Sequence, residues 1–238
     1  MKVVIIAAMQ EELNTLTRYI PLVNKRVVCS GIYEYTIGDY DLERGIEVII
    51  GVSGVGRVAS AILMTNLNDT FKLTKDDYII NYGTAGGNSK VSVGDIVVGV
   101  NTLYGDVNLN IFESKYRYGQ MSHFPLTFSG DERLVKLLKK SDLRLKYGDI
   151  CTNESFMVDK DKCDKLISDY FSDLDIKAFD MESAAYAQSA YMLGNNFLAI
   201  RYISDVIGMP NQDMVFEEML KEADRMAINI CLYILDNL

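Results

Sequence analysis

The chain predicts an α/β protein with a mixed central sheet, and three observations carry that expectation. Its first apolar run, Val3-Val4-Ile5-Ile6-Ala7-Ala8, is β-branched at its start and apolar on both alternating faces, the pattern of a central parallel strand. Val27–Cys29, Tyr33–Ile37 and Glu47–Val52 then follow one another with only Gly38-Asp39 and Arg44-Gly45 as turn signals, so part of the sheet runs antiparallel. Finally, three apolar runs end in acids: Met9-Gln10-Glu11-Glu12, Asp180-Met181-Glu182 and Ser204-Asp205. Acids repeated at strand ends suggest one site at the carboxyl edge of a parallel sheet, where open α/β sheets bind ligands.

The remaining elements fall in order along the chain. A helix is expected over Gln10–Tyr19, with Leu13, Leu16 and Ile20 on one side. Ser53-Gly54-Val55-Gly56 leads into a helix from Arg57 to about Leu67, and its Val58/Ile62 face is expected in the core. Tyr78–Asn81 reads as a strand running into a glycine-rich turn, Tyr82-Gly83-Thr84-Ala85-Gly86-Gly87, which is neither a Walker loop nor GxGxxG. Such a turn brings backbone N–H groups close to a ligand, and it fits a plain tight turn as well. Asp95–Val100 is a strand, followed by a long irregular, aromatic piece from Asn101 to Phe128. Long connections in compact domains are usually functional or interfacial. Helices over Asp131–Lys140 (Leu134 and Leu138 inward) and Asp161–Tyr170 flank a strand at Gly148–Cys151. The strand Ile176–Phe179 then delivers Asp180, Met181 and Glu182 to a helix of small residues. Phe197–Ile203 is the last strand, and a helix from about Val215 to Leu235 closes the sequence. No composition shift or linker marks a boundary, so residues 1–238 read as one domain.

With 238 residues, 49% hydrophobic and 24% charged, the chain has length and composition for a sizeable core. A net charge of −9 makes a broad nucleic-acid surface the wrong expectation and suits a neutral or cationic small substrate. The four cysteines have no CxxC spacing, and with a single histidine, His123, they make a poor zinc set. They read as reduced thiols of a cytoplasmic protein. The first apolar run is too short to span a bilayer and lacks a secretory cleavage pattern, so no membrane partner is expected.

Each acid has a plain structural reading beside the functional one. Asp180-x-Glu182 fits an acidic first helical turn, Glu12 fits another, and Ser204-Asp205 fits a helix cap. Phe156 and Phe216 fit ordinary core. Arg201 is better explained as functional, because an arginine ending an apolar strand needs a polar partner.

Taken together, several runs resemble the bacterial 5'-methylthioadenosine/S-adenosylhomocysteine nucleosidases, within the nucleoside phosphorylase superfamily. They are Ile5–Glu12, Ser53–Ala59, Asn81–Gly87, Val93–Val98, Tyr118–Gln120, Asp180–Glu182 and Arg201–Asp205, in the family's order over nearly the whole chain. The resemblance implies a three-layer sandwich, a mixed central sheet flanked by helices, and cleavage of the N-glycosidic bond to adenine. Asp205 matches the acid that protonates the purine at N7, with Ser204 orienting it. Glu12 matches the residue that positions and activates water, helped by Thr84, where the family usually has serine. Glu182 matches the carboxylate that grips a ribose hydroxyl, with Met181 against the sugar and Arg201 nearby. Ala85 and Gly86 belong to the matching glycine-rich run at the site. Phe156 matches the aromatic that stacks on adenine, and Met157 the residue whose backbone reads the purine edge. Met9 and Val55 map to the alkylthio pocket, with Phe216 over it. Leu109 and Phe112 map to residues that close a neighbouring subunit's pocket, which implies a homodimer. Where the family commonly has Ser-Gly-Asp before the stacking aromatic, this chain has Asn153-Glu154-Ser155, and Glu154 is the candidate to approach the adenine amino group. Neither residues nor resemblance asks for a cofactor or a metal.

The chemistry fits those roles. Breaking a ribosyl–adenine bond builds positive charge on the sugar and negative charge on the base, so an acid must reach the purine and a base must ready the water. Two other readings remain: a phosphate-dependent phosphorylase of the same superfamily, and a silent nucleoside-binding protein. The run Ala7–Glu12 lacks the glycine and arginine that hold phosphate in phosphorylases, and retention of Glu12, Glu182 and Asp205 speaks for chemistry.

Overall fold

The computed structural model describes residues 1–109, 115–210 and 212–238. Strand β1 (Lys2–Ala7) lies inside the sheet, parallel to β4 (Ile46–Val52) on one side and to β5 (Tyr78–Gly87) on the other. Val3 to Ala7 are all buried, as a strand covered on both faces requires. Past β4 the sheet continues antiparallel through β3 (Tyr33–Asp41) and β2 (Val23–Ser30).

The other half closes on itself. β5 runs parallel to β10 (Asn196–Val206), and β10 is antiparallel to β6 (Ile96–Tyr104). β6 is parallel to β8 (Leu145–Thr152), β8 to β9 (Ile176–Asp180), and β9 returns antiparallel to the end of β5 at Gly86 and Gly87. Five strands thus form a ring from which β1, β4, β3 and β2 extend, with the short β7 (Phe128–Ser129) on the edge of β6.

Helices cover both faces. On one, α1 (Asn14–Tyr19), α3 (Glu132–Leu138) and α6 (Gln212–Asn237) bury Leu16, Leu134, Leu138, Ala227 and Ile234 against Ile5, Ile80, Val98 and Ile200. On the other, α2 (Arg57–Phe71) and α5 (Ser183–Leu193) set Leu63, Leu67, Ala187 and Ala190 against Val4, Ile6, Ile79 and Ala199. The alternating faces of the same central strands feed the two cores, which makes the three-layer mixed-sheet sandwich. Helix α4 (Lys160–Tyr170) packs Cys163 beside Phe171 and the strand residues Leu103, Cys151 and Ile176.

Four expectations change. Gln10–Tyr19 is not one helix: a 3-10 turn over Gln10–Glu12 precedes α1, because the Glu12 side chain folds back to accept from the Met9 N–H. Tyr82–Gly87 is not a turn but the second half of β5. The face of α2 that packs inward carries Ser60, Leu63, Met64 and Leu67, whereas Val58 and Ile62 are 72% and 51% exposed. Both stripes are apolar at helical spacing, so periodicity alone could not choose between them. The strand before the long aromatic connection reaches Tyr104, so Asn101–Tyr104 belongs to β6.

Candidate active site

The carboxyl ends of the strands open into a cleft of about 220 Å³, just below the ~300–1,000 Å³ of small-molecule sites. The residues just after β1, Ala8 and Met9, enter it, β5 supplies Thr84, Ala85 and Gly86, and the step from β9 to α5 supplies Phe179 to Glu182. The segment after β8 adds Asn153 and Ser155 to Met157, β10 adds Ser204, and Val55 and Phe216 close the edges. Met9, Glu12, Val55, Thr84, Ala85, Gly86, Phe156, Met157, Met181, Glu182, Ser204 and Phe216 therefore meet at one place, although they span most of the chain.

Glu12 is 2% exposed and held on both oxygens. Its Oε1 accepts from the Thr84 N–H at 2.8 Å and the Thr84 hydroxyl at 2.9 Å, and its Oε2 accepts from the Met9 N–H at 3.0 Å. The threonine at this position keeps the hydroxyl contact. Burial raises the Glu12 carboxyl above its ordinary value, and the amides of Thr84 and Met9 and the charge of Arg201 offset this in part. The strand conformation of β5 explains how Glu12 comes so near: a Cβ on Gly83 would stand 3.0 Å from Oε1.

Glu182 stands at the N-cap position of α5 but caps nothing there. Its Oε1 instead accepts from the Gly56 N–H at the start of α2, at 2.9 Å. Burial, then the charge of Asp180, pushes its carboxyl up to about 7, against the pull of the Gly56 amide and Arg201. The anchor of α5 is Asp180, which accepts from the Ser183 N–H at 3.1 Å and the Thr152 hydroxyl at 2.6 Å.

Arg201 is not at the cleft surface, contrary to the expected place beside the ribose. It is 1% exposed, with Nε donating to Asp180 Oδ2 at 2.8 Å and Nη1 donating to the carbonyls of Asn81 and Ile200. Nη2 donates to the Asn81 side chain. A buried guanidinium needs such partners, and here they hold it behind the acids. Arg201 acts on the cleft through Asp180 and through its field on Glu12 and Glu182.

Asp205 lies just behind the wall formed by Gly86, Ser204 and Met157, and is 1% exposed. A bulge in β10 between Ile203 and Asp205 turns it, and the Ser204 hydroxyl donates to Oδ1 at 2.6 Å. Gln212 Nε2 donates to Oδ2 at 2.6 Å. The plain reading of Ser204-Asp205 as a helix cap does not apply, because both residues are inside the strand. Burial raises the carboxyl, and the two donors oppose that.

Phe156 and Phe216 meet edge to face, with centroids 6.0 Å apart. Glu154 is displaced from its expected role: its carboxylate pairs with Arg57 at 3.2 Å and is 57% exposed, outside the cleft lining. Leu109 does not line this chain's cleft, and Phe112 lies outside the described residues. Asn153, buried and lining the cleft, and Gln212 carried no sequence signal of their own.

The sequence pattern of the phosphorylase superfamily matches residues 2–236, nearly the whole chain. Within it, a 5'-methylthioadenosine/S-adenosylhomocysteine nucleosidase of Bacillus subtilis is 34% identical over 229 residues, covering 94% of this chain and 93% of that protein. The nucleosidase of the same name from S. pneumoniae, solved with a transition-state inhibitor, is 33% identical with a TM-score of 0.88, covering 100% of this chain and 99% of that one. That of Colwellia psychrerythraea, solved with adenine, is 32% identical with a TM-score of 0.87, covering 100% and 96%. The chain belongs to the family of 5'-methylthioadenosine/S-adenosylhomocysteine nucleosidases.

Proposed function

We propose that this chain hydrolyses the N-glycosidic bond of 5'-methylthioadenosine, S-adenosylhomocysteine or a related 5'-modified adenine nucleoside, releasing adenine and a 5-substituted ribose. One observation carries the reading: the described residues lining the cleft include Glu12, Asp180 and Glu182 and no lysine, arginine or histidine. Such a wall favours a sugar that turns cationic in the transition state and disfavours a phosphate dianion. Glu12 accepts a proton from the attacking water, with Thr84 holding its Oε1 in place. Asp205 donates to purine N7, oriented by Ser204. Glu182 takes a ribose hydroxyl and Met181 lies against the sugar. Phe156 stacks on the base, the Met157 backbone reads its edge, and Met9, Val55 and Phe216 receive the 5' substituent.

The test is product identity. Each nucleoside is incubated with and without phosphate, with free adenine and free 5-substituted ribose expected at a rate indifferent to phosphate. Phosphate-dependent turnover giving ribose 1-phosphate would overturn hydrolysis.

The working unit is a homodimer in which Leu109 and Phe112 close the partner's cleft. Exposed apolar side chains support this: Val55 is 54% exposed while lining the cleft, and Val58 and Ile62 continue that surface along α2. The cytoplasm is the expected compartment, in keeping with four free cysteines. No described helix is long and apolar enough to cross a membrane.

A further inference from the structure

We propose that the side-chain amide of Gln212 competes with the purine for Asp205 Oδ2 and the Met157 carbonyl, so that nucleoside binding exchanges this amide for the base. The inference rests on Asp205 as the acid and on the Met157 backbone as the reader of the purine edge. Gln212 opens α6 and is buried. Its Nε2 donates at 2.6 Å to Asp205 Oδ2 and at 3.1 Å to the Met157 carbonyl, while its Oε1 accepts from the Gly208 N–H at 3.3 Å. The three contacts fix the amide orientation: reversed, it would set an oxygen against the Met157 carbonyl and an NH2 group against the Gly208 N–H. A donor thus faces Asp205, with the Ser204 hydroxyl donating to the other oxygen. A donor on each oxygen favours the carboxylate, against burial, which raises the Asp205 carboxyl. A general acid must instead carry a proton and point it at its acceptor. Gln212 Nε2 occupies Oδ2, the oxygen nearest Gly86 of the cleft wall, so a proton carried there toward N7 competes with this donor.

Adenine presents an acceptor at N7 beside an amino donor at N6. That pair matches what the site offers once Gln212 withdraws, a protonated Asp205 and a free Met157 carbonyl. The amide reproduces half of the pattern, the donor to Met157, and blocks the other half. The proton balance is simple: withdrawal of the amide lets Asp205 take one proton from solvent, and that proton goes to N7 as the glycosidic bond breaks.

The groups around Asp205 leave this contact as the adjustable one. From β5 it meets Gly86, from its own strand Ser204, and from α6 Gln212. Lys160, packed beside Gly208, has its ammonium paired with Asp164. The charge of Arg201 acts on Glu12 and Glu182, and Glu182 also feels Asp180 and Glu12, whereas burial, Ser204 and Gln212 set the Asp205 carboxyl.

The experiment compares pH profiles of kcat/KM and kcat for wild type and Gln212→Met, which keeps length and volume and cannot donate. The first profile reports the free enzyme and the second the complex. Loss of one hydrogen bond to a charged group should raise the proton affinity of free Asp205 on the order of tenfold. The alkaline limb of kcat/KM should therefore move to higher pH, while the alkaline limb of kcat stays in place. Limbs that move together would mean that Gln212 stays on Asp205 in the complex, and limbs that both stay would mean that the contact is inert; either overturns the proposal. Gln212→Asn, too short to reach both acceptors, should repeat the split profile and serves if the methionine variant is unstable. Asp205→Asn separates the two levels. Near-normal turnover in that variant removes the acid itself, whereas a large loss there with an unsplit Gln212→Met profile removes only the competition.

Discussion

At the scale of single residues, the acids differ in their surroundings, and the proposed roles follow from that difference. Asp205→Asn should keep the fold and lose at least ~10²-fold in turnover, the usual scale for an acid–base group, and near-normal turnover would remove it from the mechanism. Glu12→Gln should abolish hydrolysis yet still bind nucleoside, because glutamine keeps the oxygen that Thr84 holds and loses the base. Retained hydrolysis would place the base elsewhere. Glu182 makes a statement about stability as well. Its folded carboxyl is raised from 4.5 to about 7, so it favours the folded state below pH 4.5 and loses that contribution as pH rises through about 7. Above that range the ionised, buried side chain opposes folding by roughly 1–3 kcal/mol. Glu182→Gln removes the charge and keeps an acceptor for the Gly56 N–H. It should be less active, similar to wild type in melting temperature at pH 4.5, and more stable at pH 8; a gap independent of pH would refute this origin. The places of Glu12, Glu182 and Asp205 after apolar runs suggested one sheet edge, but singling them out as site residues rested on the family's order and spacing. The need of Arg201 for a polar partner was legible but its position was not, since only the closed ring puts its guanidinium behind Asp180. Gln212 was illegible: nothing in its neighbours marks a side chain that reaches back seven residues to Asp205.

Elements set how closely these groups approach. β5 shows this most clearly, because its glycines are the reason that a strand, and not a turn, can pass Glu12 and Asp205. A Cβ at Gly83 would stand 3.0 Å from Glu12 Oε1 and 3.4 Å from Arg201 Nη1. Gly83→Ala should therefore destabilise the protein by ~1–3 kcal/mol through overpacking and depress turnover by moving Glu12. Thermal unfolding together with kinetics checks this, and a variant as stable and active as wild type would show that the approach is not tight. The sequence signal was real but ambiguous, since glycine runs occur both in tight turns and where backbone passes close to a side chain. The same limit held for α2, where two apolar stripes competed for the core and the one led by Val58 lost. α6 ties the two ends of the chemistry together. Its Asp224 accepts from the Thr15 N–H and hydroxyl beside the turn that carries Glu12, Tyr82 of β5 donates to its Ala223 carbonyl, and its first residue touches Asp205.

At the scale of the whole molecule, the surface left apolar by α2 asks for a partner. Val58 and Ile62 are one helical turn apart on one face, and Val55, a residue before the helix begins to wind, carries the same surface to the mouth of the cleft. A soluble monomer gains nothing from exposing branched aliphatic side chains in a row, and each one buried fully is worth roughly 1.5–3 kcal/mol. Val55 is both exposed and part of the cleft lining, so a second copy seated here would cover the stripe and wall that edge of the cleft. Charges placed at the centre of such an interface are unpaired and desolvated, which costs several kcal/mol on two symmetry-related sides. Val58→Asp combined with Ile62→Asp should therefore leave the monomer folded, because neither side chain is in its core, and shift sedimentation or light scattering from dimer to monomer. Activity should fall with dissociation and recover in part as protein concentration is raised, since the cleft would lack the partner's wall and not its own acids. A double variant that stays dimeric, or a wild type that is monomeric at full activity, would put the interface elsewhere or remove it.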